Sequence, residues 1–343
     1  MRLKFIAICT LLLASAFANA QFSWQILPSS PFQIFRHDDV CFVNSNLGWV
    51  GNIRGEIWKT RDGGNTWNKL ISQNTTAYRC IGFVDSSRGF AGNLGLSHWN
   101  RKTTDTMPLY RTLDGGITWA PIEQFNGPKP KGLCGLQVVN DSVIVACGRI
   151  DGPAFFVRSI DGGKTWTSKD MSAYAGMLID VFFTSPTTGF AVGGTSQRRY
   201  NSTSIILYTT DGGQTWTTKI KSKNDTSHCW KISHPSKNVF YVSIEKFLYT
   251  STLDFFKSTD GGATWTENPV KGVSYGSSQG IGFLNDSIGW VGGHEGALYT
   301  TNGGKTFNPM PPDILMNLNR MRFVNDTLGY AVGQRIYKYS RTK

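Results

Sequence analysis

Histidine is scarce in this chain: five residues in 343, no two of them at metal-ligand spacing. That argues against a metal centre. The six cysteines include no Cys-x-x-Cys pair, which removes support for a zinc or thioredoxin-like site. Beyond residue 17 no apolar run is long enough to cross a membrane as a helix. Acidic residues are also short, with 23 Asp and Glu against 35 Lys and Arg, a net charge of +12. A chain so basic suits anionic polysaccharide, lipid head groups or acidic proteins as neighbours.

What is present begins with a leader. Arg2 and Lys4 precede an apolar run from Phe5 to Phe17, and Ala18-Asn19-Ala20 follows. A charged start, an apolar middle and a small-residue end predict a signal peptide over residues 1–20, cut before Gln21. Residues 21–343 then form one domain, exported to the periplasm or secreted. Nucleic acid is not an expected partner there. Losing Arg2 and Lys4 leaves 33 basic against 23 acidic residues, or +10. Losing Cys9 leaves an odd five cysteines, so at least one thiol is free or pairs outside the chain. Cys134 and Cys147 flank the turn at Asn140-Asp141-Ser142, and a disulfide between them is expected.

The rest is repetition. Thr60-Arg61-Asp62-Gly63-Gly64-Asn65-Thr66-Trp67 returns at Thr112–Trp119, Ser159–Trp166, Thr209–Trp216 and Ser258–Trp265. Thr300–Phe307 is a worn sixth copy, with Asn302 for Asp and Phe307 for Trp. The key residue falls at Asp62, Asp114, Asp161, Asp211, Asp260 and Asn302, in steps of 52, 47, 50, 49 and 42. Repeats of that length made of short strands and Gly turns predict a propeller or a solenoid. Within the box, Asp accepts from the amides of its own turn and Gly-Gly supplies positive φ. The Trp buries a large ring against the next layer. Each residue has a structural task, so the boxes are read as scaffold.

These boxes resemble the Asp-boxes, or BNR repeats, of sialidase-like propellers. The wider repeat resembles the photosystem II stability/assembly factor family and its bacterial relatives. The resemblance implies an all-β propeller with each box on the hairpin between a blade's third and fourth strands, away from the ligand face.

The blade count comes from the strands before the boxes. Gly48-Trp49, Gly89-Phe90, Gly189-Phe190, Gly289-Trp290 and Gly329-Tyr330 mark second strands, and Val143–Cys147 and Val239–Val242 are divergent copies. Seven such pairs face only six boxes. Phe22–Leu27 reads like the strand after a box, so it should complete the seventh blade beside Ile336–Tyr339. A seven-bladed β-propeller closed by its N-terminal strand removes the open edges of a solenoid.

Candidate binding residues are those that this topology places opposite the boxes. First-strand starts supply Arg36, His37, Tyr78, Arg79, Trp230, Lys231, Arg320 and Arg322. Loops between second and third strands supply Trp99, Arg101, Arg149, Arg198, Arg199, Tyr200, His294 and Glu295. Arginine suits planar recognition of carboxylates, and the aromatic side chains offer flat apolar contacts. A monomer binding a protein segment or an anionic glycan through this basic, aromatic rim is the expectation, with no cofactor. The assembly-factor resemblance implies the same mode, a basic face held against a protein partner.

The competing expectation is a sialidase-like glycoside hydrolase. That chemistry takes three arginines around a carboxylate, a Tyr–Glu pair and an Asp acid. Arg36 and Tyr275 fit in part. Gly176-Met177-Leu178, Ser227-His228-Cys229 and Ser278-Gln279-Gly280 supply no arginine where blades four to six should. A two-carboxylate alternative pairs Asp38 or Asp39 with Glu295.

Overall fold

A computed structural model of the chain describes residues 24–96, 102–223, 226–247, 252–271, 278–312 and 314–341. Residues 1–20, with the expected leader, lie outside them.

Seven four-stranded antiparallel sheets make up the molecule. Their first strands are Asp39–Phe42, Tyr78–Phe83, Gly135–Val138, Met177–Phe183, Ser227–Ser236, Gly280–Phe283 and Arg320–Asn325. Six blades take four consecutive strands each. The seventh takes three from the C-terminus and Trp24–Ile26 from the N-terminus. Trp24 stands opposite Tyr339, Gln25 opposite Lys338 and Ile26 opposite Tyr337. The closing strand expected from the repeat count is therefore in place. It is short, but Trp24 is buried, with its ring 5.5 Å edge-on from Trp290 and 5.5 Å from Tyr339.

The core lies between neighbouring blades. One cluster joins Val145 and Phe156 of blade three to Leu178, Phe183 and Leu207 of blade four. The box tryptophans belong to these seams. Trp166 packs 5.3 Å from Phe90 of the preceding blade, Trp216 5.1 Å from Phe156, and Trp265 5.6 Å from Phe190. Phe307 repeats the contact on Phe255 at 6.0 Å.

The box itself folds as its residues dictate. Asp161 Oδ1 accepts from the Thr165 amide at 2.9 Å, and Oδ2 from the Thr165 hydroxyl at 2.6 Å. Ser159 Oγ accepts from the Gly163 amide at 2.8 Å. Gly162 and Gly163 have φ of +74° and +84°, a region that side chains avoid. In the first box, hydrogen bonds from the Thr66 hydroxyl and then its amide hold Asp62 down at about 2. Asn302 keeps the pattern: its Oδ1 accepts from the Thr306 amide at 3.0 Å and its Nδ2 donates to Thr306 Oγ1 at 2.7 Å.

Trp166→Ala is expected to cost ~3 kcal/mol, as a truncated buried aromatic does. Asp161→Asn should cost under about 1 kcal/mol, because, as Asn302 shows, the amide keeps the Oδ1 bond and reverses the one to the Thr hydroxyl. Urea unfolding reads both. An unmoved midpoint for Trp166→Ala would show that the ring carries no packing energy.

The expected Cys134–Cys147 disulfide is corrected. Gly135, not Cys134, stands opposite Cys147. Successive residues of a strand face opposite sides. Cys134 therefore packs with Ala77, Leu94 and Met177, and Cys147 with Phe156 and Leu178. All five cysteines of the described residues are free.

Candidate binding face and a charged axis

First strands run closest to the propeller axis, so the residues that begin them point into a narrow space. Arg320 Nη1 and Nη2 each donate to Asp180 at 2.7 Å, a two-pronged bond from blade seven to blade four. Arg320 Nε lies 3.1 Å from Asp39 of blade one. Arg36 and Arg79 both contact Asp38 Oδ1. Their guanidinium groups sit 5.6 and 5.1 Å from the Trp230 ring centroid. Trp230 Nε1 donates to Asn319 Oδ1 at 2.7 Å. Arg36 also donates to Gln279, Gln279 donates to Glu245 at 2.6 Å, and His228 lies 2.9 Å from Glu245. Burial, then the Arg79 charge, lowers Arg36 to about 10, which leaves it charged at neutral pH.

This arrangement corrects half of the expected rim. Arg36, His37, Tyr78, Arg79, Trp230, Lys231 and Arg320 are buried, so they fill the interior instead of facing solvent. The side chains are long and the first strands converge, so Arg320 reaches Asp180 across the axis, while Arg36 and Arg79 meet Asp38 beside them. Tyr78 packs 6.0 Å from Tyr110, and His37 Nε2 lies 3.0 Å from the Pro31 carbonyl. Arg322 is half-buried, 3.8 Å from Asp39. The carboxylates Asp38 and Asp39 are likewise sealed, so neither forms an open acid–base pair with Glu295. The three axial arginines are held by protein carboxylates, which leaves no arginine clamp for a sugar acid there. Tyr275, the sialidase-like tyrosine, lies outside the described residues.

Part of the other half of the rim is on the surface. Each crossing from a fourth strand to the next first strand leaves the sheet at the same end as the second-to-third-strand loops. Arg198, Tyr200, His294 and Glu295 are exposed there. Arg198 Nη1 donates to Tyr200 Oη at 3.0 Å. Arg199 and Arg149 are half-buried and tie loops together. Arg199 Nε lies 3.2 Å from Asp151, and Arg149 donates to the Gly152 and Leu94 carbonyls at 2.7 and 3.0 Å. Trp99 and Arg101 lie outside the described residues.

Sequence reasoning missed the apolar part of this face. Phe32, Ile34 and Phe35 are 52%, 69% and 55% exposed on the crossing from blade seven to blade one. Arg335 lies 4.9 Å from the Phe32 ring and Arg54 4.7 Å from the Phe35 ring. Leu96 and Phe247 are exposed at the same end, with Phe247 6.1 Å from Tyr200. The signal was Pro28-Ser29-Ser30-Pro31, which breaks the strand pattern just before the apolar run. Among the described residues no group of three metal-ligating side chains occurs, and no helix is long and apolar enough to cross a membrane.

The sequence pattern of the BNR/Asp-box repeat matches residues 207–218, the fourth box and its flanks. No curated protein matches the chain. Solved structures do. YCF48 bound to a D1 peptide is 16% identical with a TM-score of 0.65, over 94% of this chain and 97% of that one. YCF48 from Cyanidioschyzon merolae is 16% identical with a TM-score of 0.67, over 93% and 99%. The GH74 xyloglucanase from Xanthomonas campestris is 13% identical with a TM-score of 0.65, over 92% of this chain and 53% of the enzyme. The protein is thus a seven-bladed β-propeller of BNR/Asp-box repeats, similar in fold both to YCF48 and to a GH74 hydrolase.

Proposed function

We propose that this propeller is an exported, non-catalytic module that holds a segment of another protein on the face opposite the Asp-boxes. One observation carries the reading: on that face exposed aromatic rings stand beside guanidinium groups, at Phe32 with Arg335, Phe35 with Arg54, and Tyr200 with Arg198. An apolar side chain next to a carboxylate in a partner would satisfy both halves of each pair. The sealed axis supports binding over hydrolysis, since its carboxylates and arginines occupy one another. YCF48, which shares the fold, is seen with a bound peptide. The leader over residues 1–20 supplies the export.

Panning a displayed peptide library on the intact protein tests this. Enriched peptides should pair aromatic or aliphatic residues with Asp or Glu. Arg54→Glu with Arg198→Glu should weaken them at least tenfold, about 1.4 kcal/mol, without moving the melting temperature. Binding should also fall as salt shortens the Debye length below about 10 Å. Binding untouched by the reversals, or a response confined to anionic glycans, would overturn the peptide reading.

A further inference from the structure

Lys231 is wholly buried at the axis, and its Nζ meets no hydrogen-bond acceptor among the described residues. An ammonium donates three bonds, and buried donors are almost never left without a partner. Each oxygen of the neighbouring Asp carboxylates already accepts at least one bond. Asp180 Oδ1 and Oδ2 accept from Arg320, and Oδ2 accepts again from the Ile232 amide at 3.0 Å. Asp39 Oδ1 accepts from the Val40 amide at 3.0 Å, and Oδ2 from the Ile81 amide at 3.1 Å. Asp38 Oδ1 meets Arg36 and Arg79, and Oδ2 accepts from the Ile53 amide at 2.9 Å. Arg320 Nε also makes no hydrogen bond, and its 3.1 Å approach to Asp39 is an ion-pair contact only.

The charges point the same way. Four buried axial cations, Arg36, Arg79, Lys231 and Arg320, face four buried carboxylates, Asp38, Asp39, Asp180 and Glu245, and the half-buried Arg322, 3.8 Å from Asp39, adds a fifth positive charge. One positive charge is surplus. Burial, then the Arg320 charge, pushes Lys231 down to about 7, and a neighbouring anion would favour its charged form.

We propose that the propeller axis holds one small monovalent anion, of the size and charge of chloride, against Lys231 Nζ and the Nε–H of Arg320. It supplies the missing acceptor, balances the surplus charge and links blade five to blade seven. This site is separate from the peptide-binding face, and neither reading depends on the other.

The test is thermal unfolding of the intact protein at fixed ionic strength, with gluconate exchanged stepwise for chloride. Chloride at ten times its dissociation constant shifts the folding equilibrium about elevenfold. For a domain of this size that reads as a saturating rise of about 3 °C. Lys231→Met should abolish the rise. A flat wild-type curve, or an equal response in Lys231→Met, overturns the site. Should the variant not fold, crystals of the wild type grown in bromide decide the matter: an anomalous peak in contact with Lys231 Nζ supports the proposal. Peaks confined to surface arginines mean an adventitious ion only and overturn it.

Discussion

Arg320→Met is expected to lower the melting temperature by about 10 °C. The change removes one cation and leaves Asp180 and Asp39 buried with too few donors. Breaking a buried pair from one side costs about 3–5 kcal/mol, and two carboxylates are stranded here, which sets the upper end. A domain this large loses about 2 °C per kcal/mol. Acid sensitivity checks the mechanism. Burial alone would raise Asp180, but the Arg320 charge overrides it and holds the carboxyl far below its ordinary range. A carboxyl depressed in the folded state stabilises above its unfolded pKa of about 4, and that contribution is lost as pH falls through the folded value. Wild type should therefore lose stability steadily below about pH 4, and Arg320→Met should lose less over the same interval. A variant melting within 2 °C of wild type, with the same acid profile, would show that the axis carries no net stability.

Deleting residues 21–27 is expected to have the larger effect. The edge of the strand Ile336–Ser340 would lose its partner, and Trp290 and Tyr339 would lose the Trp24 ring. An unpaired edge beside freed aromatic surface is a template for association. Size exclusion should show oligomers or aggregate, and calorimetry should show no single sharp transition. Trp24→Ala keeps the backbone pairing, so it should elute as wild type does and melt lower. A deletion protein with wild-type elution and wild-type melting would mean that the ring does not need its closing strand.

The scaffold was legible because it is written six times. Asp62, Asp114 and their copies occupy one local turn, and local turns are fixed by residues within eight positions of one another. The closing strand was legible by counting. The site was legible only in part, for a geometric reason. Topology tells which end of a blade a loop leaves from, but not how far its side chains stand from the axis. Arg198 and Arg36 were assigned to one rim by the same rule, yet Arg198 reaches solvent and Arg36 lies in the interior. Cys134 and Cys147 failed for a smaller distance, a one-residue step in register that turned the thiols to opposite faces. Phe32, Ile34 and Phe35 were passed over because an apolar run reads as core unless something shows that it is a crossing.

The axial bonds also bear on how such a chain can change over evolutionary time. Blades that touch only their neighbours can be duplicated or lost one at a time, since each seam resembles the next. Here Arg320 of the seventh blade is tied to Asp180 of the fourth, Trp230 of the fifth to Asn319 of the seventh, and Arg36 of the first to Gln279 of the sixth. Those ties single out particular blades across the ring. Adding or dropping a blade would pull every one of them out of line at once, so the hub gives each repeat a fixed address and holds the number at seven.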